Sequence, residues 1–146
     1  MTKPDGLPAA FDGREFRHAW AYRDAGGEVI GHVARFEDAE GKLVIPFFGR
    51  NGQGWVAKGA PEPRPLFNLD GLSDAPADAV FVVEGEKCAQ ALEGMGLIAT
   101  TSPGGSNAAH AADWGPLARF RRVYILPDAD APGEFVQDAA HVGARL

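Results

Sequence analysis

The stretch Ala79-Val-Phe-Val-Val-Glu-Gly-Glu-Lys-Cys-Ala-Gln-Ala-Leu92 decides the fold of this chain. Five consecutive apolar residues predict a strand buried on both faces, and Glu84-Gly85 ends it. A helix is expected over residues 86–95, with Cys88, Leu92 and Met95 on one apolar face. We therefore predict a strand that turns directly into a helix, with the Cys88 thiol buried and inert.

Two more apolar runs follow, at residues 97–101 and 123–126, and helical segments are expected over 107–118 and 132–146. Apolar strands that alternate with helices are typical of βαβ units and of a parallel sheet. The sequence thus predicts an α/β domain over residues 78–146, built on a parallel sheet flanked by helices.

The upstream half has a different sequence pattern, in which aromatic and β-branched runs are separated by short turn sequences. The runs cover residues 20–24, 28–36, 42–48 and 54–58. This pattern predicts an antiparallel meander. Three prolines within residues 61–65 favour an extended connector, and residues 66–69 are expected to add a short strand. We expect a small antiparallel β module with a Pro-rich connector over residues 1–77, and an α+β protein overall.

Composition excludes several classes of protein. With 146 residues and a net charge of −6, the chain is too acidic to coat nucleic acid by bulk charge, so any nucleic-acid contact must be local. A single cysteine excludes an internal disulfide and a zinc ribbon. No apolar run is long enough to span a membrane. These features predict a cytoplasmic protein with no membrane partner.

Acidic residues follow two of the predicted strands. Glu84 ends the first, and Asp128 and Asp130 follow the third. Ligands of parallel sheets bind beyond the carboxyl ends of the strands, so these three carboxylates are expected to converge if the two strands are neighbours. Oxygen ligands without His or Cys favour Mg²⁺ or Mn²⁺. Taken alone, each of these acids has an alternative explanation, in which it caps the helix that follows or interacts with the dipole of that helix.

The motifs resemble those of the TOPRIM domain, which occurs in bacterial primases, topoisomerases and some nucleases. The similarity to phage- and plasmid-type primases and primase-helicases runs over residues 83–92, 101–105, 113–117 and 127–133. The resemblance implies that Glu84 acts in proton transfer or metal binding and that Asp128 and Asp130 bind Mg²⁺ or Mn²⁺. It also implies a function in primer synthesis, with template DNA, nucleoside triphosphates and a replicative helicase as partners.

Further residues are candidates for contacts with nucleotide or nucleic acid. The Gly-rich stretch that contains Ser102, Gly104 and Gly105 precedes a predicted helix, so its amides are suited to a phosphate or to a plain turn capped by Ser106 or Asn107. Lys87 lies in the first turn of a predicted helix, where it faces either phosphate or solvent. Lys58 and Arg64 are assigned by the resemblance alone.

The sequence differs from that of a complete primase in several features. The sequence has no zinc ribbon and no GxxxxGK[ST] loop of a fused helicase. We expect the TOPRIM-type domain to be truncated at its C-terminus, and the chain to be a fragment inactive alone. Two alternatives stay open: a TOPRIM nuclease or topoisomerase-like fragment, and a non-catalytic module that binds nucleic acid or the replisome.

Overall fold

The computed structural model describes residues 1–127, apart from the side chains of residues 105–107. The first half forms a four-stranded antiparallel sheet in the order β1-β2-β3-β4. Its strands are β1 (Ala10–Phe11), β2 (Arg14–Arg23), β3 (Val29–Glu37) and β4 (Lys42–Phe47). The predicted meander is therefore confirmed.

Side-chain oxygens close the turns between these strands. The Asp24 carboxylate accepts hydrogen bonds from the backbone N–H groups of Gly26 and Glu28, at 2.9 and 3.0 Å. Asp38 acts in the same way after β3. Asx turns of this kind fold the chain back locally, which explains why the hairpins are recognisable in the sequence.

A small ribbon follows the sheet. It pairs β5 (Gly49–Asn51) with β6 (Gly54–Val56) in antiparallel register. The strand predicted at 54–58 thus belongs to a separate two-stranded unit and does not extend the meander. Aromatic side chains fill the core beneath the four-stranded sheet, with Phe36 and Phe47 almost fully buried.

The second half contains a three-stranded parallel sheet in the order β8-β7-β9. Its elements are β7 (Ala79–Val83), α2 (Glu86–Gly94), β8 (Ala99–Thr100) and β9 (Arg122–Leu126). The central position of β7 agrees with its two-sided burial, since Val80 and Val82 are buried against one face and Val83 against the other. The predicted parallel sheet is confirmed, and the fold is a mixed α+β fold.

The segment after the prolines turns into a short helix and does not form a strand. Helix α1 (Leu69–Asp74) begins after Asn68, whose backbone is left-handed with a φ of 64°. The prediction of a short strand over residues 66–69 is wrong because Leu66 and Leu72 both turn into the core of the parallel half. The Asn68 amide holds the start of this helix by donating to the Ala99 carbonyl at 3.2 Å.

Two 3₁₀ segments, Gly105–Ala111 and Gly115–Arg119, replace the single helix predicted over residues 107–118. The interruption has a local cause. The Asp113 carboxylate accepts a hydrogen bond from the Gly115 N–H at 3.0 Å, and Pro116 has no N–H to donate to a continuous helix. The first segment is capped by Gly104, not by Ser106 or Asn107. The helix predicted over 132–146 lies outside the described residues.

The buried face of α2 differs from the predicted one. Cys88 is exposed, and Met95 is 73% exposed. Ala89 is instead the helix residue that packs against Val83 and Ala99. The expectation of a buried Cys88 is therefore wrong, because the helix is rotated so that Glu86 and Ala89 face inward and Cys88 faces solvent.

No helix within residues 1–127 has the length and apolar character needed to cross a membrane.

The packing of α1 leads to a stability prediction. Leu72 is 1% exposed, so Leu72→Ala should lower the free energy of unfolding by about 2–5 kcal/mol. Met95→Ala removes a comparable apolar side chain from an exposed helix end and should change it by less than about 0.5 kcal/mol. Urea unfolding followed by circular dichroism measures both. Equal unfolding midpoints for the two variants would contradict this packing.

Candidate active site

The carboxyl edge of the parallel sheet carries the first of the predicted acids. Strands β7 and β9 are direct parallel neighbours, and their last residues, Val83 and Leu126, lie opposite each other. Glu84 follows Val83 at this edge and is half-buried. The neighbouring strands expected from the sequence are thus present. Asp128 and Asp130 lie outside the described residues, so their convergence with Glu84 stays a prediction.

The bend after β7 depends on a glycine and a threonine. Gly85 has a φ of 109°, a conformation that side chains disfavour, and this lets α2 begin immediately after the bend. The Gly85 N–H donates a hydrogen bond to the Thr101 hydroxyl at 3.1 Å. This contact joins the carboxyl ends of β7 and β8. Ser102, the next residue after Thr101, is buried beside it.

A buried hydrogen bond reaches this bend from the antiparallel sheet. The Tyr22 hydroxyl, on β2, donates to a carboxylate oxygen of Glu86 at 2.9 Å. Tyr22 is 0% exposed and Glu86 is 9% exposed. The first residue of α2 therefore points into the protein, where the two sheets meet, and not into solvent.

Burial sets the protonation of both groups. It raises the pKa of the Glu86 carboxyl above its ordinary 4.5, although the hydrogen bond from Tyr22 works in the opposite direction. Burial also raises the pKa of the Tyr22 phenol well above 10.0, and the nearby Glu86 adds to this shift. Tyr22 is therefore a neutral hydrogen-bond donor over the whole physiological pH range.

Phe67 connects the same elements by a second route. Its ring packs against Tyr22 at a centroid distance of 5.3 Å. Its backbone N–H donates to the Thr101 carbonyl at 2.9 Å, and its carbonyl accepts from the Thr100 hydroxyl at 2.7 Å. Tyr22 and the Gly-rich loop after β8 are thus both tied to the segment that follows the prolines.

The structure also brings Arg64 to the Gly-rich loop. A side-chain carbon added to Gly104 would lie 3.0 Å from a terminal nitrogen of the Arg64 guanidinium, so this arginine lies directly against the loop. Its backbone is held because the Arg64 N–H donates to the Ala111 carbonyl and the Arg64 carbonyl accepts from the Asp113 N–H. Among residues 1–127, no carboxylate pairs with Arg64, and its buried Nε has no hydrogen-bond partner. An unpaired, half-buried cation beside a glycine loop is suited to an anion.

The other predicted residues are more scattered. Gly105 begins the 3₁₀ segment that follows the loop. Lys58 is exposed at the end of the ribbon, where its backbone bonds to Pro46 and Phe48. Lys87 is exposed in the first turn of α2. The structure leaves the proposed roles of these residues in binding untested.

Within the described part of the chain, no three His, Cys, Asp or Glu side chains group closely enough to hold a metal ion. Glu84 supplies one carboxylate of the kind that Mg²⁺ and Mn²⁺ prefer, and this chemistry fits the predicted cation. The remaining acids of the predicted set lie beyond Pro127.

Sequence reasoning missed Tyr22 and assigned no role to Glu86. One signal was present for Glu86: it heads the helix at a three-residue spacing from Ala89, which is buried. No local signal identifies Tyr22 as its partner, since the two residues lie 64 positions apart.

No protein-family model matches the sequence, and no similar curated protein is found. Among solved structures, the chain resembles the gp4 primase domain in a complex of the bacteriophage T7 lagging-strand DNA polymerase. In that complex the polymerase interacts with primase domains of two gp4 subunits bound to an RNA/DNA hybrid and dTTP. The TM-score is 0.61 at 20% identity. The fold is related to that of a phage primase domain. The likeness covers 90% of this chain but only 62% of the primase chain, so this chain spans less than two thirds of its neighbour.

The buried carboxyl predicts a pH dependence of stability. Because the folded protein raises the pKa of Glu86, the stabilising contribution of this group is complete below pH 4.5 and is lost as the pH rises through the raised value. Glu86→Gln keeps an acceptor for Tyr22 but cannot ionise. Relative to this variant, the wild type should therefore lose stability as the pH rises from 4.5 through the raised pKa of Glu86. Urea unfolding with a chelator present measures the difference, and parallel pH profiles would contradict the assignment.

Proposed function

We propose that this chain is the nucleotidyl-transfer part of a DNA primase of the TOPRIM type. In this proposal it joins nucleoside triphosphates into a primer on a DNA template, with Mg²⁺ or Mn²⁺ as cofactor. The fold similarity to a phage primase domain supports the proposal, and so do the TOPRIM-like motifs around Glu84. Template DNA, nucleotides and a replicative helicase are the proposed partners, and the cytoplasm is the proposed location.

The observation that carries the proposal is the parallel pairing of β7 with β9. Val83 and Leu126 lie opposite each other, so the residues that follow both strands leave the sheet at one edge. Glu84 directly follows Val83, and the sequence has Asp128 and Asp130 shortly after Leu126. Adjacent parallel strands lie about 4.8 Å apart, which is close enough for their loops to share one cation.

In the proposed reaction, the primer 3′-hydroxyl attacks the α-phosphorus of the incoming nucleotide and pyrophosphate leaves. A bound divalent cation would neutralise the phosphate charge and align the reacting groups. Glu84 is proposed to hold this cation or to accept the proton of the 3′-hydroxyl, and Asp128 and Asp130 are proposed as the further ligands.

Arg64 is proposed to bind the phosphates of the nucleotide. Its guanidinium lies against Gly104 and has no carboxylate partner within residues 1–127, although the chain as a whole is acidic. The buried Ser102 and the glycines at 104 and 105 line the same loop, where backbone amides can add hydrogen bonds. Lys58 and Lys87 are proposed as weaker contacts to template or nucleotide.

The cation is tested by titrating the full chain with Mg²⁺ and Mn²⁺ and following backbone amide chemical shifts. We expect shifts near residues 84–87 and after β9. Glu84→Gln and Asp128→Asn should each weaken the apparent affinity by about tenfold or more, because each removes a proposed ligand. Glu40→Gln removes an exposed acid in a hairpin turn and should have no effect. Wild-type and Asp128→Asn titrations that coincide would overturn the metal site.

Activity is tested by supplying a single-stranded template, nucleoside triphosphates and Mg²⁺, and analysing the products. New oligonucleotides that Glu84→Gln fails to make would support the primase. A cleaved template would favour the nuclease alternative. Binding of DNA that is unchanged in both acid variants, with no product of either kind, would favour a non-catalytic binding module.

The role of Arg64 has its own test. Arg64→Gln should weaken the binding of Mg-ATP by about 10- to 100-fold, because it removes charge-assisted hydrogen bonds to phosphate. Arg121→Gln is the matched control, since Arg121 is exposed just before β9, at the opposite edge of the sheet. Isothermal titration calorimetry measures both variants. Equal affinities would show that Arg64 has a different role.

A further inference from the structure

We propose that Tyr22 and Glu86 form a positioning pair, which holds the bend at Glu84 and Gly85 in the geometry that the metal ligand requires. The pair does not touch substrate in this proposal, and it acts only through the backbone of the bend. The inference deepens the proposed function and rests on it for the role of Glu84.

The chemistry of the pair is unusual for a simple packing contact. Tyr22 is 0% exposed and Glu86 is 9% exposed, and they are joined at 2.9 Å. Withdrawing a carboxyl group from water is costly, so an apolar pair of similar size would serve packing alone better. A hydrogen bond differs from an apolar contact because it has a preferred direction and length. It therefore fixes where the first residue of α2 lies.

The bend is held from two sides. On one side the Gly85 N–H is bound by the Thr101 hydroxyl, and on the other the neighbouring Glu86 is bound by Tyr22. Phe67 connects the two sides, since its ring packs on Tyr22 and its backbone N–H donates a hydrogen bond to the Thr101 carbonyl.

The backbone of the bend lies between two regular elements. The hydrogen-bond ladder of β7 ends at Val83, and α2 starts only at Glu86 with no side-chain cap at Gly85. The contacts from Thr101 and from Tyr22 therefore orient the backbone that joins strand to helix. The antiparallel sheet, which contributes Tyr22, thereby becomes part of the site in the parallel half.

The experiment compares three variants of the full chain at one neutral pH. Tyr22→Phe removes the buried hydroxyl, and Tyr124→Phe removes the hydroxyl of the other tyrosine, which is 40% exposed. The double variant Tyr22→Phe/Glu86→Leu replaces the polar pair by an apolar pair. Amide shifts report the bend, Mn²⁺ titration reports the affinity, and urea unfolding reports stability.

We expect Tyr22→Phe to shift the Gly85 and Thr101 amides and to weaken Mn²⁺ affinity by about tenfold, the usual effect of losing a supporting contact. Tyr124→Phe should change neither. The double variant should regain stability, because both partners are then apolar, while its Mn²⁺ affinity stays low. Affinity that returns together with stability would overturn the proposal, since the pair would then be purely structural.

Failure of the proposed function is a different result. If the wild type binds no Mn²⁺, the metal site fails, and the amide shifts still decide the positioning role. Gly85 and Thr101 amides unchanged in Tyr22→Phe would overturn it.

Discussion

The hydrogen bond between Tyr22 and Glu86 is the constraint on which the arrangement of this protein depends. It is the point where a strand of the antiparallel sheet meets the first turn of α2, and both groups are buried there. A buried carboxyl needs a hydrogen-bond partner, and Tyr22 supplies it, so this contact links β2 to the start of α2. The aromatic rings of Phe48 and Phe67 both pack against the buried Tyr22 ring. The candidate site is thus built at the junction of the two halves and not within one of them.

The segment that joins the two sheets does more than link them, because it also packs into the core and against the Gly-rich loop. Leu66 and Leu72 belong to the core of the parallel half, Arg64 lies on the Gly-rich loop, and Phe67 bonds to Thr101. Prolines at its start prevent helix, and Asn68 at its end starts one. The chain therefore places the Arg64 guanidinium against the Gly-rich loop before it enters the parallel sheet.

The fold similarity to a primase domain and the chemistry of the candidate site are two separate observations, and both support the proposed function. The similarity is one of backbone shape at 20% identity. The acid after β7, the arginine without a carboxylate partner among residues 1–127 and the glycine loop are features of this chain's own residues. A metal-bound polyphosphate carries both signs of charge, so a carboxylate is suited to its cation and a cationic side chain to its phosphates.

The sequence by itself determined the meander and the parallel sheet, since period and turn chemistry are local properties, but the strand predicted over residues 66–69 is wrong. It also determined Glu84 as an acid at a strand end. It did not determine α1, the break between the two 3₁₀ segments, or the buried face of α2, because these depend on which surfaces meet. Cys88 and Glu86 show the reason. From the sequence alone, either residue could lie on the face of α2 that packs against the sheet. Burial of the Glu86 carboxyl is favourable only because Tyr22, far away in the chain, donates a hydrogen bond to it. Tertiary structure alone decided that Tyr22 of the antiparallel sheet meets Glu86 at the start of α2.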